Sequence, residues 1–341
     1  MGNIAIVILN WNGRKFLETF LPGVQLHSRH IARIIVADNA SSDDSVEFLR
    51  STFPEISIIQ NASNGGFAKG YNDALAQVDA DYYILLNSDI EVTENWIEPV
   101  IKLMETDPKI AACQPVIRSF HHPEQFEYAG ASGGFIDHLG YPFCRGRIFQ
   151  HLENDEGQYK SSIEVFWATG ACLFVKAHIF KQFGGFDEDF FAHMEEIDFC
   201  WRIKHQGYKV MVCHEAKVFH VGGGTLPKKS SFKTYLNMRN NISMLYKNLP
   251  AHRLVPVLMT RLILDGFAAF KFLIDGGFKD FWAVVRAHMS FYRRFNDHRK
   301  KRGKINHRDV SCIYQGNIVI DHFIKGIKHF DQLSSQMFTR D

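Results

Sequence analysis

The sequence predicts an α/β protein, in which a mostly parallel sheet is flanked by helices and followed by a helical C-terminal region. Over the first hundred residues, short apolar runs alternate with longer amphipathic stretches, which is typical of βαβ units. Near residue 225 the composition changes, and helical patterns with a basic stretch continue to the end. We therefore predict an α/β domain at residues 1–225 and a helical, amphipathic and basic region at residues 226–341.

Each predicted element follows from its own pattern. Four short, continuous apolar runs are expected to be buried strands, and they span residues 4–9, 34–37, 56–59 and 82–86. Helical periodicity lies between them, at residues 15–26, 44–51 and 67–78. Later strand candidates are residues 163–168, 209–213 and 217–221. Residues 118–162 show no clear period, so we expect loops over a cleft.

Composition excludes several classes of protein. The 341 residues are 46% hydrophobic and 22% charged, which excludes wholesale disorder. The net charge of +2 gives no reason to expect nucleic acid binding. Six scattered cysteines are expected to be reduced core residues. A strand at the N-terminus and the lack of a long apolar run predict a cytoplasmic protein without a signal or a spanning helix.

Small polar residues follow each of the first four predicted strands. In open parallel sheets, ligands bind beyond the carboxyl ends of the strands, so these residues predict a pocket for a polar ligand. The alternative is that they only form turns and helix caps, which is the commoner role of a single such loop. Four polar ends at one sheet edge favour the pocket. The residues are Asn10, Asn12, Asp38, Asn39, Asn64, Gly65, Gly66, Asn72, Asn87 and Asp89.

The types of residue at these strand ends suit a nucleotide diphosphate. Asp38 is able to accept hydrogen bonds from ribose hydroxyls or a base N–H. The Asn64-Gly-Gly-Phe67 loop opens a helix, where N–H groups favour an anion and glycines allow close approach. Asp89 is able to hold Mg²⁺ or Mn²⁺ against phosphate oxygens. His220 is either a further metal ligand or a structural histidine.

Three carboxylates crowd the start of a later predicted helix, at Glu195, Glu196 and Asp198. Asp198 and Arg202 are four residues apart and are expected to pair at the surface. Glu196 shares a face with apolar residues and points inward, so it needs a partner or a proton to transfer. Complementing the helix dipole is the structural alternative. With a diphosphate and a metal opposite, Glu196 becomes a candidate base that deprotonates an attacking hydroxyl.

An ordered set of motifs carries a family resemblance over residues 4 to about 225. The motifs are Val7-Ile-Leu-Asn-Trp-Asn12, Val36-Ala-Asp-Asn-Ala-Ser-Ser-Asp43, Asn64-Gly-Gly-Phe-Ala-Lys-Gly-Tyr-Asn72, Leu86-Asn-Ser-Asp89, Thr169-Gly-Ala-Cys172, Gly184-Gly-Phe-Asp-Glu188, Glu195-Glu-Ile-Asp-Phe-Cys-Trp-Arg202 and His220-Val-Gly-Gly223. Together they resemble family 2 glycosyltransferases of the inverting GT-A type, close to bacterial rhamnosyltransferase-like members. The resemblance implies a Rossmann-like GT-A domain.

The resemblance also implies roles for the site residues. Asp38 would contact the nucleotide base or ribose, and the Asn64 loop would lie by the nucleotide. Asp89 would be the remaining acid of the DXD metal motif, with Asn87 where a stricter motif has Asp. Glu196 would be the base, with Glu195 as its competitor.

The implied reaction is metal-dependent and inverting. A nucleotide-diphosphate sugar, dTDP-rhamnose or a UDP-sugar, would donate to a hydroxyl of a glycan or lipid-linked acceptor in cell-surface polysaccharide synthesis. Arg239 resembles an element of the family that touches the donor diphosphate or the acceptor; solvation of a helix surface is the alternative.

The C-terminal region predicts two amphipathic helices. Pro256 is expected near the start of the first helix and Gly276 at its end. Basic residues within 254–304 suit the inner face of an anionic membrane, as a peripheral contact. The alternative is packing against the catalytic domain or another subunit of a homo-oligomer.

Two other functions compete with glycosyl transfer. A sugar-phosphate nucleotidyltransferase has a similar fold, but it favours a basic, glycine-rich N-terminal signature that this sequence lacks. A non-catalytic sugar-nucleotide-binding subunit would need neither Glu195 nor Glu196. The sequence therefore favours the transferase.

Overall fold

The structure is a computed structural model that describes residues 2–222 and 230–340. Its α/β architecture confirms the predicted fold class. The predicted domain boundary at residue 225 and part of the His220-Val-Gly-Gly223 motif lie outside the described residues, and the division into two domains stays a prediction. The strands are β1 (Ile4–Asn10), β2 (Arg33–Asp38), β3 (Ser57–Gln60), β4 (Tyr82–Asn87), β5 (Ile90–Val92), β6 (Ile110–Ser119), β7 (Gly134–Asp137), β8 (Pro142–Cys144), β9 (Arg147–Ile148), β10 (His151–Leu152), β11 (Ile163–Val165), β12 (Cys172–Lys176), β13 (Lys209–His220) and β14 (Ile313–Tyr314).

Helices cover the sheet and make up most of the C-terminal region. They are α1 (Arg14–Ser28), α2 (Ser45–Thr52), α3 (Gly66–Leu75), α4 (Glu98–Glu105), α5 (Ala177–Gln182), α6 (Glu195–Lys204), α7 (Ser231–Asn248), α8 (Ala251–Ile274), α9 (Phe278–Arg293), α10 (Phe295–Arg302) and α11 (Ile318–Phe323). A short 3₁₀ helix at Glu188–Phe190 precedes α6.

The main sheet has the order β11-β13-β6-β12-β4-β1-β2-β3, with β5 paired to β13. The strands β3, β2, β1 and β4 are parallel, as the alternating pattern predicted. The strand β12 runs antiparallel between β4 and β6. Because successive side chains of β1 point to opposite faces of the sheet, Ala5 and Val7 pack into one apolar core while Ile4, Ile6 and Ile8 pack into the other. The sheet is therefore buried on both faces.

Two predictions about strands were wrong. The predicted strands at residues 209–213 and 217–221 are one strand, β13, with an irregular register between Cys213 and Lys217. Residues 118–162, predicted as loops, contain four short strands, which with β14 form a second sheet in the order β10-β9-β8-β7-β14. These strands have two to four residues each, which is too short to leave a period in the sequence.

The C-terminal helices differ from their predicted limits. The helix α8 begins at Ala251 with Pro250 as its cap, so Pro256 lies inside the helix and not at its start. The second of the two predicted amphipathic helices, expected at residues 278–295, is divided at Arg294 into α9 and α10. Within residues 2–222 and 230–340, no helix combines the length and the apolar character that crossing a membrane requires. All six cysteines are buried thiols.

Candidate active site

The ends of β1 and β2 form a buried polar cluster. Asn10 and Asp38 are neighbours in the parallel register, and Asn10 Nδ2 donates to Asp38 Oδ1 at 3.3 Å. The other oxygen of Asp38 accepts from the backbone N–H of Ser41 at 3.0 Å. Asn10 Oδ1 is buried without a hydrogen-bond partner among the described residues. A β-carbon on Gly13 would lie 2.4 Å from that oxygen and 3.4 Å from the Ser88 hydroxyl, so an unpaired acceptor lies near the end of β4.

The predicted donor residues Asn12, Asn39 and Asn64 hold loops together. Asn12 Oδ1 accepts from the backbone N–H of Ser42 at 2.7 Å. Asn39 Nδ2 donates to Asn64 Oδ1 at 3.0 Å and to the Gly66 carbonyl at 3.1 Å. These bonds join the ends of β1, β2 and β3 into one sheet edge. The structure thus brings these residues together with Asn10 and Asp38.

The Asn64-Gly-Gly-Phe67 loop packs against the segment before α6 and does not face an open space. The Phe191 carbonyl accepts from the N–H groups of Phe67 and Ala68 at 2.6 and 3.2 Å, and Asn64 Oδ1 accepts from that of Gly66 at 2.9 Å. At Gly66 φ is +79°, and a β-carbon there would lie 2.4 Å from the Phe191 carbonyl oxygen. The expectation that this helix start offers free N–H groups to an anion is therefore not met.

Asn72 lies on α3 but faces a different segment from the strand ends. Its amide donates to the Phe186 carbonyl at 2.9 Å and accepts from the Phe186 N–H at 3.0 Å. It also donates to Glu188 at 3.3 Å. Asn72 therefore fixes the loop before α6, while Asn87 ends β4 next to Leu9 and is partly exposed.

Asp89 follows β4 and pairs with His220 at the end of β13. His220 Nε2 lies 3.2 Å from Asp89 Oδ1, and its Nδ1 lies 3.1 Å from Glu127 Oε2. Burial lowers the pKa of His220, but the two carboxylates outweigh burial and raise it to about 10. These contacts make His220 a partner of Asp89, and its role as a metal ligand stays a prediction.

A divalent metal at this edge would depend on few protein ligands. Within residues 2–222 and 230–340, no group of three or more His, Cys, Asp or Glu side chains is arranged to hold a metal. Mg²⁺ usually binds through one or two carboxylates plus substrate phosphates and water. Asp89, with the unpaired Asn10 Oδ1 nearby on the same edge, offers the oxygen donors that such an ion prefers. The residues present therefore fit a metal that a diphosphate would bring with it.

Glu195 and Glu196 open α6 after a strained loop. Phe191, His193 and Met194 have φ values of 64°, 70° and 73°, a region that bulky residues rarely adopt. Both glutamates have an Oε2 atom that is buried without a hydrogen-bond partner among the described residues. Glu195 is only 4% exposed, whereas Glu196 is partly exposed.

The two glutamates titrate differently. Burial, together with the charges of Glu196 and Asp198, raises the pKa of Glu195 well above its ordinary value. Burial raises the pKa of Glu196 to about 7, although backbone N–H groups, including that of Gly170, act in the opposite direction. Gly170 precedes Ala171, whose carbonyl accepts from the Asn87 N–H at 2.9 Å. Glu196 therefore lies by the strand ends that also carry Asn87 and Asp89.

Asp198 pairs with Arg202 at 2.9 Å, as predicted, but not at the surface. The Asp198 side chain is fully buried, and it also contacts Lys247 Nζ at 2.9 Å and accepts from Asn248 Nδ2 at 2.8 Å. The i,i+4 pattern correctly predicts the pair. It cannot show that two residues of α7 complete it.

Two side chains of α7 bind the backbone of the strained loop and of the residues just before it. Asn240 Nδ2 donates to the carbonyls of Phe190, Ala192 and His193 at 2.8–2.9 Å. Arg239, predicted near the donor or acceptor, donates instead to the carbonyls of Asp189 and Phe190 at 2.8 and 3.0 Å. Both side chains thus act on the backbone that positions Glu195 and Glu196.

An ion network fixes the segment before this loop. Asp187 pairs with Lys247 and Lys301, and Asp189 pairs with Lys301 at 2.7 Å and with Arg294 at 2.8 Å. Burial acts against it, but the two lysines hold the pKa of Asp187 well below its usual value. Sequence reasoning missed these residues, together with Asn240 and Glu127. The basic stretch at residues 293–304 was the only sequence feature that indicated a need for acidic partners of the C-terminal region.

Comparison with known proteins identifies the family. Residues 5–183, just over half of the chain, match the family described as Glycosyl transferase family 2. The N-acetylglucosaminyl-diphospho-decaprenol L-rhamnosyltransferase of Mycobacterium tuberculosis (strain ATCC 25618 / H37Rv) is 26% identical over 235 residues, covering 64% of this chain and 75% of that protein.

Solved structures share the fold. S. aureus TarS 1-349 in complex with UDP-GlcNAc has a TM-score of 0.57 at 12% identity, covering 88% of this chain and 89% of that one. Mannosyltransferase PcManGT from Pyrobaculum calidifontis, in complex with GDP-Man and Mn²⁺, has a TM-score of 0.52 at 14% identity, covering 86% and 75%. The predicted resemblance to rhamnosyltransferase-like members of the family is confirmed. The chain belongs to glycosyl transferase family 2 and is a glycosyltransferase.

Proposed function

We propose that the protein transfers a rhamnosyl or other hexosyl residue, with inversion, from a nucleotide-diphosphate sugar to a hydroxyl of a glycan or lipid-linked acceptor. The product would enter cell-surface polysaccharide. The M. tuberculosis relative is named for rhamnosyl transfer to a decaprenol-linked acceptor, and this supports dTDP-rhamnose as the first donor to test. A UDP-sugar is the second, because TarS was solved with UDP-GlcNAc.

The observation that carries the proposal is the state of Glu196. Its Oε2 atom has no hydrogen-bond partner among the described residues, its pKa is about 7, and it lies by the strand ends that carry Asp89. A base is most effective when its pKa is near the working pH and it reaches the acceptor hydroxyl. Glu195 is more deeply buried, and burial together with the neighbouring charges raises its pKa well above the ordinary value. We therefore assign the base to Glu196 in preference to Glu195.

The proposed reaction is a direct displacement at the anomeric carbon. Glu196 takes the proton of the acceptor hydroxyl, the hydroxyl oxygen bonds to the anomeric carbon, and the bond to the nucleoside diphosphate breaks. Asp38 and Asn10 hold the nucleotide at the ends of β1 and β2. Asp89 would hold the divalent metal, with Asn10 Oδ1 as a further oxygen donor on that edge. When bound, the metal would neutralise the charge of the leaving diphosphate.

Donor binding tests this proposal directly. Thermal unfolding of the purified chain would be measured with dTDP-rhamnose and with UDP- and GDP-sugars, each with Mg²⁺, with Mn²⁺ and without metal. We expect one nucleotide to raise the Tm by several degrees in the presence of metal, since a ligand that binds only the folded state stabilises it. The variant Asp89→Asn should lose the metal-dependent part of the shift.

A surface variant, Asp79→Asn, provides the matched control, because Asp79 is an exposed residue of the segment before β4 and its substitution should leave the shift unchanged. The absence of any nucleotide-dependent shift would contradict the donor site. A shift that is equal with and without metal, in wild type and Asp89→Asn alike, would contradict the metal role of Asp89 alone.

A further inference from the structure

The helix α8 buries two of its charged side chains. Arg261 and Asp265 are only 2% and 1% exposed, and they pair at 3.1 Å. Arg261 also donates to the Leu139 carbonyl at 3.2 Å and lies over the Tyr141 ring. Asp265 contacts His288 of α9 at 3.2 Å. The only acid between Ala251 and Ile274 is thus covered by protein.

The opposite face of α8 is apolar and exposed. Six large apolar side chains on it are between 54% and 70% exposed. At ~100° per residue they occupy about 120° of the helix circumference, and they extend over most of its 24 residues. They are Val255, Met259, Ile263, Phe267, Phe270 and Ile274. A helix of a water-exposed protein normally has the reverse arrangement, with its charged face outward.

The neighbouring helix α9 continues this apolar surface and adds cations. Phe278, Trp282 and Tyr292 are 65%, 48% and 56% exposed. On the same helix, the exposed cations Lys279, Arg286 and Arg293 lie beside that stripe, with the whole set within about 140° at ~100° per residue. Residues 251–304 contain twelve lysines and arginines against four acids. We define the exposed faces of α8 and α9 as the apolar-basic surface.

We propose that the apolar-basic surface docks this enzyme in the plane of an anionic lipid bilayer. A bilayer interface accepts an apolar face a short distance into the acyl boundary, while lysines and arginines beside it attract anionic headgroups. Tryptophan and tyrosine favour that interface because they combine an apolar ring with a polar atom. The proposal does not depend on the donor, the metal or the base.

A second copy of the chain would fit this surface less well. A two-fold interface brings the same patch of both copies together. Lys279, Arg286 and Arg293 of one copy would then face those of the other, without exposed acids on α8 to neutralise them. The excess of positive charge therefore favours an anionic lipid surface over self-association.

Sedimentation with vesicles tests the docking surface. The full chain would be mixed with phosphatidylcholine vesicles containing or lacking phosphatidylglycerol, at low and high salt. We expect binding to the anionic vesicles, with weaker binding at high salt because the basic part of the attraction is screened. The double variant Ile263→Gln/Phe267→Gln should bind at least ~10-fold more weakly, because each change removes a side chain that would enter the lipid.

Two further variants distinguish the contributions. Leu26→Gln changes a residue of α1 that is 65% exposed, and it should bind like the wild type. The triple variant Lys279→Gln/Arg286→Gln/Arg293→Gln should lose the preference for anionic vesicles and the salt dependence. Circular dichroism would verify that all variants are folded.

Two outcomes would overturn the proposal. One is wild-type protein that stays in the supernatant with anionic vesicles at low salt. The other is a wild-type dimer in light scattering that Ile263→Gln/Phe267→Gln converts to a monomer without any change in vesicle binding. The second outcome would assign the surface to self-association. Neither outcome bears on nucleotide-sugar binding, so failure here is distinguishable from failure of the proposed reaction.

Discussion

Two groups of buried or half-buried carboxylates lie within a segment of twelve residues and have opposite surroundings. Asp187, Asp189 and Asp198 are paired with lysine or arginine side chains from α6, α7 and α10 and with Arg294 between α9 and α10. Glu195 and Glu196 each keep an oxygen without a partner among the described residues. The pKa of Asp187 is accordingly lowered and that of Glu196 raised. Burial alone therefore does not decide what an acid does; its partners do.

The difference separates structural from chemical roles. A paired buried carboxylate holds two segments together, and removing its partner leaves an uncompensated charge. An unpaired one is available to take a proton from a substrate. The ion network lies directly before the strained loop, and Asn240 holds that loop. The paired acids thus fix the segment before the loop that positions the unpaired glutamates.

Replacing the base should have the largest effect. We expect Glu196→Gln to lower kcat by ~10²–10⁴-fold, because the amide cannot accept the proton of the acceptor hydroxyl. Donor binding, measured by thermal shift, should persist. Glu195→Gln is the matched control, with a fall in kcat of less than ~10-fold, because Glu195 does not take the proton in the proposed reaction. Equal losses from both variants would remove the distinction between the two glutamates.

Breaking the ion network should have the next largest effect, on stability. Lys247→Met leaves Asp187 and Asp198 partly uncompensated and should lower the free energy of unfolding by about 3–5 kcal/mol. Lys271→Met removes an exposed pair with Asp275 and should cost less than about 1 kcal/mol. Urea unfolding of both variants measures the difference. Similar losses of unfolding free energy in the two variants would mean that burial of the network does not increase its contribution to stability.

Releasing the loop should have an intermediate effect on stability and a smaller one on rate. Asn240→Ala removes donors to three carbonyls and should destabilise the protein by about 1–3 kcal/mol. We expect kcat to fall ~10-fold, a shifted midpoint of the pH–rate profile and an unchanged donor KM. Asn237→Ala, one turn earlier on α7 and partly exposed, is the control. A loss of stability with an unaltered pH–rate midpoint would limit Asn240 to a structural role.

The pH dependence should show the smallest effects, with opposite signs for the two groups. The raised pKa of Glu196 means that the folded state binds the proton more tightly, so its contribution to stability falls as pH rises from about 4.5 to about 7. Because the pKa of Asp187 is lowered in the folded state, this carboxylate contributes stability that is lost as the pH falls below the ordinary pKa of an aspartate. Relative to wild type, Glu196→Gln should therefore gain a few degrees of Tm at about pH 8 and little at about pH 4.

In the same range of pH, the transfer rate should rise through about 7 as Glu196 loses its proton. A rate profile that is flat between about pH 6 and pH 8 would contradict a base with this pKa.

The part of the fold that depends on local patterns was predictable. The strands β1 to β4 have continuous apolar runs followed by polar residues, so both their existence and their shared edge follow from the sequence. The second sheet was not predictable, because its strands are too short to show a period. The exposure of the apolar face of α8 was also not predictable from the sequence. Its polar stripe containing Arg261 and Asp265 is visible in the sequence, but only the contacts with Leu139, Tyr141 and His288 show that the stripe is buried.

The site shows the same limit. Sequence reasoning identified Asp38, Asp89 and Glu196 as candidates, and the structure places their surroundings on one sheet edge; their roles stay predictions. It did not anticipate that His220 is held between Asp89 and Glu127, because Glu127 lies 93 positions away in the chain. Nor did it anticipate that Asn72 and Arg239 bind loops. Long-range partners decide which polar residues remain available, and a single sequence does not reveal them.

The ion network also has a consequence for synthesis on the ribosome. Lys247 lies 60 residues after Asp187, and Lys301 lies 114 residues after it. The sheet edge is complete in sequence long before either lysine has been translated. The segment that carries Glu195 and Glu196 therefore acquires these counter-charges only after α7 and α10 have been translated.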